Sequence, residues 1–183
     1  MKKQLLIGAL SFVAILLANT SVKAQTANVT INLSDVISID PSSTAAGANI
    51  GFSYPNEAAY RADQTVSQND HLIITSTKAF DVKVKAGGEN FIGTSGDATG
   101  KTIPISVLTI KVNGSSDVGG TASEVVLTGA TEPQTLITNA PLGSLKLVDI
   151  DYFIPKERSS SDDILGKAAG DYKQTVTYSV VNH

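Results

Sequence analysis

The chain has no cysteine and no tryptophan, and only 5% of its 183 residues are aromatic. Each absence excludes something. Without cysteine there is no disulfide framework, no thiol nucleophile, no thiolate metal site, and no lipid anchor of the bacterial type built on the cysteine after an export tag. Stability must come from burial and backbone pairing, which a chain of this length can supply. Without tryptophan, the aromatic platforms of a typical sugar-binding cleft are scarce. Histidine is rare too: His71 and His183 are the only two. Excess basic charge is also missing. Three of the 14 Lys and Arg and none of the 17 Asp and Glu lie in residues 1–24, so the remainder carries −6. Nucleic acid and anionic membrane surfaces reward basic patches and are poor partners for it.

What is present begins with an export signal. Lys2 and Lys3 precede an apolar run over residues 5–18, and Val22-Lys23-Ala24 has the small-residue form of a cleavage site. The run is shorter than the about 20 residues a membrane span needs. We therefore expect a cleaved signal peptide over residues 1–24 and one domain over residues 25–183, in the size range of single domains. The expected location is periplasmic, cell-surface or extracellular, with no membrane span in the mature protein.

The patterning has period two, rich in Val, Ile and Thr and punctuated by Gly, Ser, Asn and Asp. Val29, Ile31, Leu33, Ile37 and Ile39 share one face of residues 28–40, interrupted at Asp35-Val36, where a bulge is expected. Ile50, Phe52 and Tyr54 form a second run, followed by a polar loop or irregular turn over residues 56–68. Residues 71–75 and 80–86 read as a hairpin about a turn at residues 76–79, with Asp81, Lys83 and Lys85 towards solvent. The apolar set slips by one residue after Val107 and again after Leu147, marking bulges or crossings between sheets. Shorter strands are expected over residues 124–128 and 134–138, a closing strand over residues 172–180, and one helical turn near residues 161–165. Eight to ten short strands predict an all-β, immunoglobulin-like Greek-key β-sandwich, with a jelly roll or barrel as the alternative.

Three stretches resemble secreted bacterial β-sandwich surface proteins, namely pilin and spore-coat-U-like fimbrial subunits and WxL-type surface domains. They are Asn28-Val-Thr-Ile-Asn-Leu, Leu72-Ile-Ile-Thr-Ser-Thr-Lys-Ala-Phe-Asp-Val-Lys-Val, and Ala169-Gly-Asp-Tyr-Lys-Gln-Thr-Val-Thr-Tyr-Ser-Val. The missing cysteine departs from the disulfide-bearing subunits, and the missing tryptophan from the WxL motif. The resemblance implies a structural or adhesive surface component, and nothing specific to wall binding or chaperone-assisted assembly.

Catalytic chemistry finds little support. Neither histidine accompanies a Gly-x-Ser-x-Gly elbow. Asp149 and Asp151 would stand about 7 Å apart on one strand face, a spacing compatible with glycoside hydrolysis. They also occupy the positions a solvated face requires. Asp162, Asp163 and Asp171 flank a long polar segment over residues 155–170, but without the spacing of a calcium loop. Gly96 to Gly100-Lys101-Thr102 is one residue short of a phosphate-binding loop. Asn28-Val29-Thr30 and Asn113-Gly114-Ser115 match a glycosylation acceptor, which has little force in a bacterial protein. No catalytic, cofactor or metal residue is assigned.

The expected function is a non-enzymatic secreted or surface subunit, pilus-like in its use of sheet edges. Its candidate strand-exchange segment is Val29, Ile31 and Leu33, with a second copy or another surface protein as partner. The same residues could instead be the first strand of their own domain. The alternative function is a monomeric binding module for carbohydrate or another surface polymer, acting through loops 56–68, 87–100 and 155–170. A secreted hydrolase is a third, more distant option.

Overall fold

A computed structural model describes residues 28–114 and 116–183. The export tag expected over residues 1–24 lies outside the described residues. The contacts divide the chain after Leu33. Residues 28–33, the described part of the first unit, are exposed and belong to no strand. The second unit, Ser34–His183, holds every element of the described residues.

All strand pairs are antiparallel, and they form three sheets. The largest contains β1 (Ile37–Ile39), β2 (Gln64–Ser76), β10 (Gly143–Ile154), β6 (Thr109–Val112) and β8 (Val125–Val126), in that order. A four-stranded sheet runs β12 (Val176–Asn182), β3 (Phe80–Ala86), β9 (Gln134–Ala140) and β7 (Thr121–Ala122). A small sheet joins β11 (Tyr172–Lys173), β4 (Asn90–Gly93) and β5 (Thr102–Pro104). Among the described residues, helix is confined to single turns, α1 (Glu57–Tyr60) and α2 (Lys156–Ser159), and two 3-10 turns.

The fold is therefore all-β and sandwich-like. Leu72, Ile74, Ile110, Val148 and Ile150 from the large sheet share one buried cluster with Phe80, Val82, Val84, Leu136 and Ile137 from the four-stranded sheet. Strand β3 shows why. Its apolar residues are buried at every second position while Asp81, Lys83 and Lys85 face outward, so each residue pair contributes one core side chain and one solvated one.

Several local expectations are corrected. Residues 71–86 do not form a hairpin, because β2 pairs with β1 and β10 whereas β3 pairs with β12 and β9. The turn at residues 76–79 carries the chain from one sheet to the other. Of residues 28–40, only Ile37–Ile39 is strand. The polar segment 56–68 contains α1, capped by the Asn56 side chain on Ala59 N, and the first residues of β2. The turn expected near residues 161–165 is present, with Leu165 N bonded to Ser161 O at 2.8 Å and Asp163 N to the Ser161 hydroxyl, and a further helical turn, α2, precedes it at Lys156–Ser159. The closing strand breaks at Gln174-Thr175 into β11 and β12.

Both phase slips correspond to real irregularities. The first is a 3-10 turn over Ile105–Val107, which separates β5 of the small sheet from β6 of the large one. The second lies in β10, whose register with β2 shifts between Gly143 and Lys146 and again between Val148 and Ile150. At the latter shift Asp149 alone stands opposite residues 69–71 of β2, where Asp70 has φ +50°. Such a bulge re-aims side chains, and here it turns His71 inward beside Leu72.

Candidate functional site

Strand β12 ends the four-stranded sheet, and its register shows which backbone groups are left over. The bonds from Gly87 N to Thr175 O and from His183 N to Ala79 O bracket its ladder with β3. Between them Thr177, Ser179 and Val181 are the residues that bond to β3. Antiparallel pairing alternates, so the N–H and C=O groups of Val176, Tyr178 and Val180 point away from the sheet. The side chains of those same three residues pack against the core.

Facing this edge is the segment that follows β1, held against β2 by backbone bonds. Asp40 N donates to Ile73 O at 2.7 Å and Ala45 N to His71 O at 2.9 Å. Buried Ser43 accepts from Ile73 N through its hydroxyl at 2.9 Å. Ser42 donates to the Asp40 carboxylate from its hydroxyl and backbone, which lowers that carboxyl below its usual range. Between the segment and β12 lies a groove of about 330 Å³, floored by Ile39, Ala45, Leu72, Val176 and Tyr178.

A polar chain lies beneath it. Tyr178 donates to the Tyr152 hydroxyl at 2.9 Å, and Tyr152 meets His71 Nε2 at 2.8 Å. His71 Nδ1 lies 3.3 Å from the Thr44 hydroxyl, which in turn reaches the carbonyls of Asn69 and Asp70 at 3.4 Å. One proton assignment satisfies every member: Tyr152 donates to Nε2, and Nδ1–H donates to Thr44. It requires neutral His71. Burial accordingly lowers the His71 pKa and raises those of Tyr152 and Tyr178. The rings of Tyr152 and Tyr178 also meet the imidazole edge-on, at centroid distances of 5.5 and 5.6 Å.

Val29, Ile31 and Leu33 are 84%, 78% and 87% exposed. The residues weighed for catalysis are dispersed into structural bonds. His71 is a buried mid-strand residue rather than a strand-opening one, and His183 Nε2 meets Asp81 Oδ1 at 2.7 Å. Asp149 is buried rather than solvated and accepts Asp70 N at 2.6 Å, while Asp151 accepts the Asn113 amide. Asp163 meets Arg158, and Asp171 accepts the Ser95 hydroxyl. Among the described residues, no group of three or more acidic or histidine side chains is placed to hold a metal ion. Nor is any helix there long and apolar enough to cross a membrane. A second depression of about 200 Å³ beside Lys111, Asn113, Glu124 and Asp151 is lined by groups paired with one another, Lys111 with Glu124 and Asn113 with Asp151.

Sequence reading missed the groove. Its one legible trace is the composition of β12, Val-Thr-Tyr-Ser-Val-Val-Asn, a strand with no charge, proline or glycine. That this strand lies at an edge depends on the whole topology. No protein-family model matches the chain, and no curated protein matches it.

Proposed function

We propose that this protein is an exported, non-enzymatic structural or adhesive subunit of the cell surface, which assembles through its sheet edges after loss of residues 1–24. An immunoglobulin-like Greek-key sandwich is part of this reading, supported by β10, which returns to lie between β2 and β6. The observation that carries it is the exposure of Val29, Ile31 and Leu33 on an alternating segment. Burying such side chains is worth roughly 1.5–3 kcal/mol each, so the segment gains from finding a strand-accepting edge. The dispersal of both histidines and of Asp149 and Asp151 into structural bonds supports a non-enzymatic role.

The test is fractionation of the bacterium that produces the chain, with N-terminal sequencing and sedimentation of the recovered protein. The expected product begins at Gln25, is cleaved by protease added to intact cells, and sediments as more than one chain. A cytosolic protein retaining residues 1–24, or an exported one that stays a single chain, overturns the reading.

A further inference from the structure

We infer that residues 40–45 form a proton-released strap: protonation of His71 lifts them from the edge of β2 while the two largest sheets stay intact. The device lies within one chain and does not depend on how copies assemble.

Strand β1 pairs with residues 74–76 of β2. Beyond it the same edge is covered by residues 40–45, which form turns instead of a strand. Backbone amides tie them to β2. Asp40 N donates to Ile73 O, Ile73 N to the Ser43 hydroxyl, Ala45 N to His71 O, and Thr44 N to Asp70 O, the last at 3.3 Å. The bonds from Ser43 N to Asp40 O and from Ala46 N to Ser43 O are internal and survive lifting. Towards β12 the strap borders the groove of about 330 Å³, which leaves it room to move.

His71 stands where the strap, β2 and the interior meet, and its ring is enclosed by two unequal sides. On the inner side Tyr152 of β10 and Tyr178 of β12 pack edge-on against the imidazole. On the outer side is Thr44, an exposed residue of the strap, 3.3 Å from Nδ1. While the ring is neutral, Nε2 accepts the Tyr152 hydroxyl and Nδ1–H holds Thr44. A proton on Nε2 puts two hydrogens into a 2.8 Å contact. It also creates an unpaired cation in the interior, which water must solvate. Water reaches the ring from the side that yields. Tyr152 and Tyr178 belong to paired strands, whereas Thr44 belongs to a run of turns.

The charged groups around the ring do not replace that water. Asp70 precedes it in β2, Asp149 of β10 accepts the Asp70 amide, and Asp40 begins the strap. Burial alone moves the His71 pKa, and moves it down, so none of these carboxylates supports the charged ring. Burial keeps Tyr152 and Tyr178 neutral. Ser42 holds the Asp40 carboxyl below its usual range, so the first turn of the strap persists in mild acid. With the strap lifted, the ring titrates near its ordinary value of about 6.5. Going from about pH 7 to about pH 5 then raises the opening constant by up to roughly 25-fold.

Amide exchange in the full-length protein, followed by NMR and corrected for the intrinsic rate, tests this. Thr44 and Ala45 report the strap, and Lys83 and Lys85, paired with Ser179 and Thr177, report global opening. Protection of Thr44 and Ala45 is expected to fall about 10- to 25-fold between about pH 7 and pH 5. It should not respond to about 1 M urea, because lifting a short segment exposes little surface. Lys83 and Lys85 should exchange far more slowly and respond to urea. His71→Gln accepts from Tyr152 and donates to Thr44 without titrating, and should abolish the pH dependence at the strap. Thr44→Val, a change at an exposed side chain, should lower strap protection already at neutral pH and leave Lys83 and Lys85 as they were. The inference is overturned if Thr44 and Ala45 exchange at the rate and with the urea dependence of Lys83 and Lys85, so that only global unfolding reaches His71. It is equally overturned if strap protection does not change with pH, or if its fall persists in His71→Gln. Should that variant not fold, unaltered strap protection in Thr44→Val overturns it.

Discussion

The imidazole of His71 is 1% exposed, and its bonds are complete only while Nε2 carries no proton. Protonation would set the Nε2–H against the Tyr152 hydroxyl hydrogen and strand that hydrogen in the interior. Because burial lowers the folded pKa below the unfolded value, the unfolded chain binds more protons as pH falls through about 6.5. Stability to urea is thus expected to be full above pH 7 and to decline from about pH 6.5 downward. His71→Gln keeps an acceptor, does not titrate there, and should flatten this slope in urea titrations between pH 5 and 7. Asp81 acts in a lower window. The Asn139 N–H, followed by His183, holds its carboxyl below the usual range, so its contribution is lost only as pH falls below about 4. Tyr152→Phe tests the network at neutral pH. It leaves His71 Nε2 without its donor, and unfolding free energy should drop by about 1–3 kcal/mol.

Backbone geometry within the elements makes two further predictions. Leu145 sits in the irregular start of β10 with φ +54° and is 57% exposed. A left-handed conformation costs a non-glycine residue about 1–2 kcal/mol, which exceeds the extra unfolded-state entropy of glycine at roughly 0.5–1 kcal/mol. Leu145→Gly should therefore raise the urea midpoint by the equivalent of about 0.5–1 kcal/mol, with an unchanged slope. Gly93, at the end of β4, behaves oppositely. A Cβ there would lie 1.8 Å from Ala98 O, so Gly93→Ala must push apart β4 and the following 3-10 turn. A loss of about 1–3 kcal/mol is expected in the same measurement.

These elements also show what a sequence reader can and cannot see. Strand β3 was legible because Asp81, Lys83 and Lys85 interleave with buried Phe80, Val82 and Val84. Whether it pairs with β2 or faces it across the core is not written in that alternation, since either arrangement buries the same face. The first half of β2 was hidden because Gln64, Val66 and Gln68, its half-buried side, are mostly polar. The bulge that buries His71 is a register event between β2 and β10, 79 residues apart at the bond from Asp70 N to Asp149. The groove is further removed from local pattern, because its walls are contributed by residues 39–46 and 176–178.

At the scale of the whole molecule, buried polar groups such as the His71 network serve structure, whereas the alternating residues Val29, Ile31 and Leu33 stay exposed. Val29, Ile31 and Leu33 are among its most exposed large aliphatic residues, whereas the two largest sheets share a closed core. Export, cleavage and sedimentation decide whether that exposure serves assembly. Assembly through a free segment and a sheet edge carries its own consequence for form. The segment at residues 29–33 and the edge at Val176–Asn182 are different surfaces, so a contact between them is not self-complementary. Two copies joined this way still present one unused segment and one unfilled edge. Reciprocal exchange between two copies fills both in a closed two-fold dimer, whereas one-way donation grows until a ring closes or another protein caps the end.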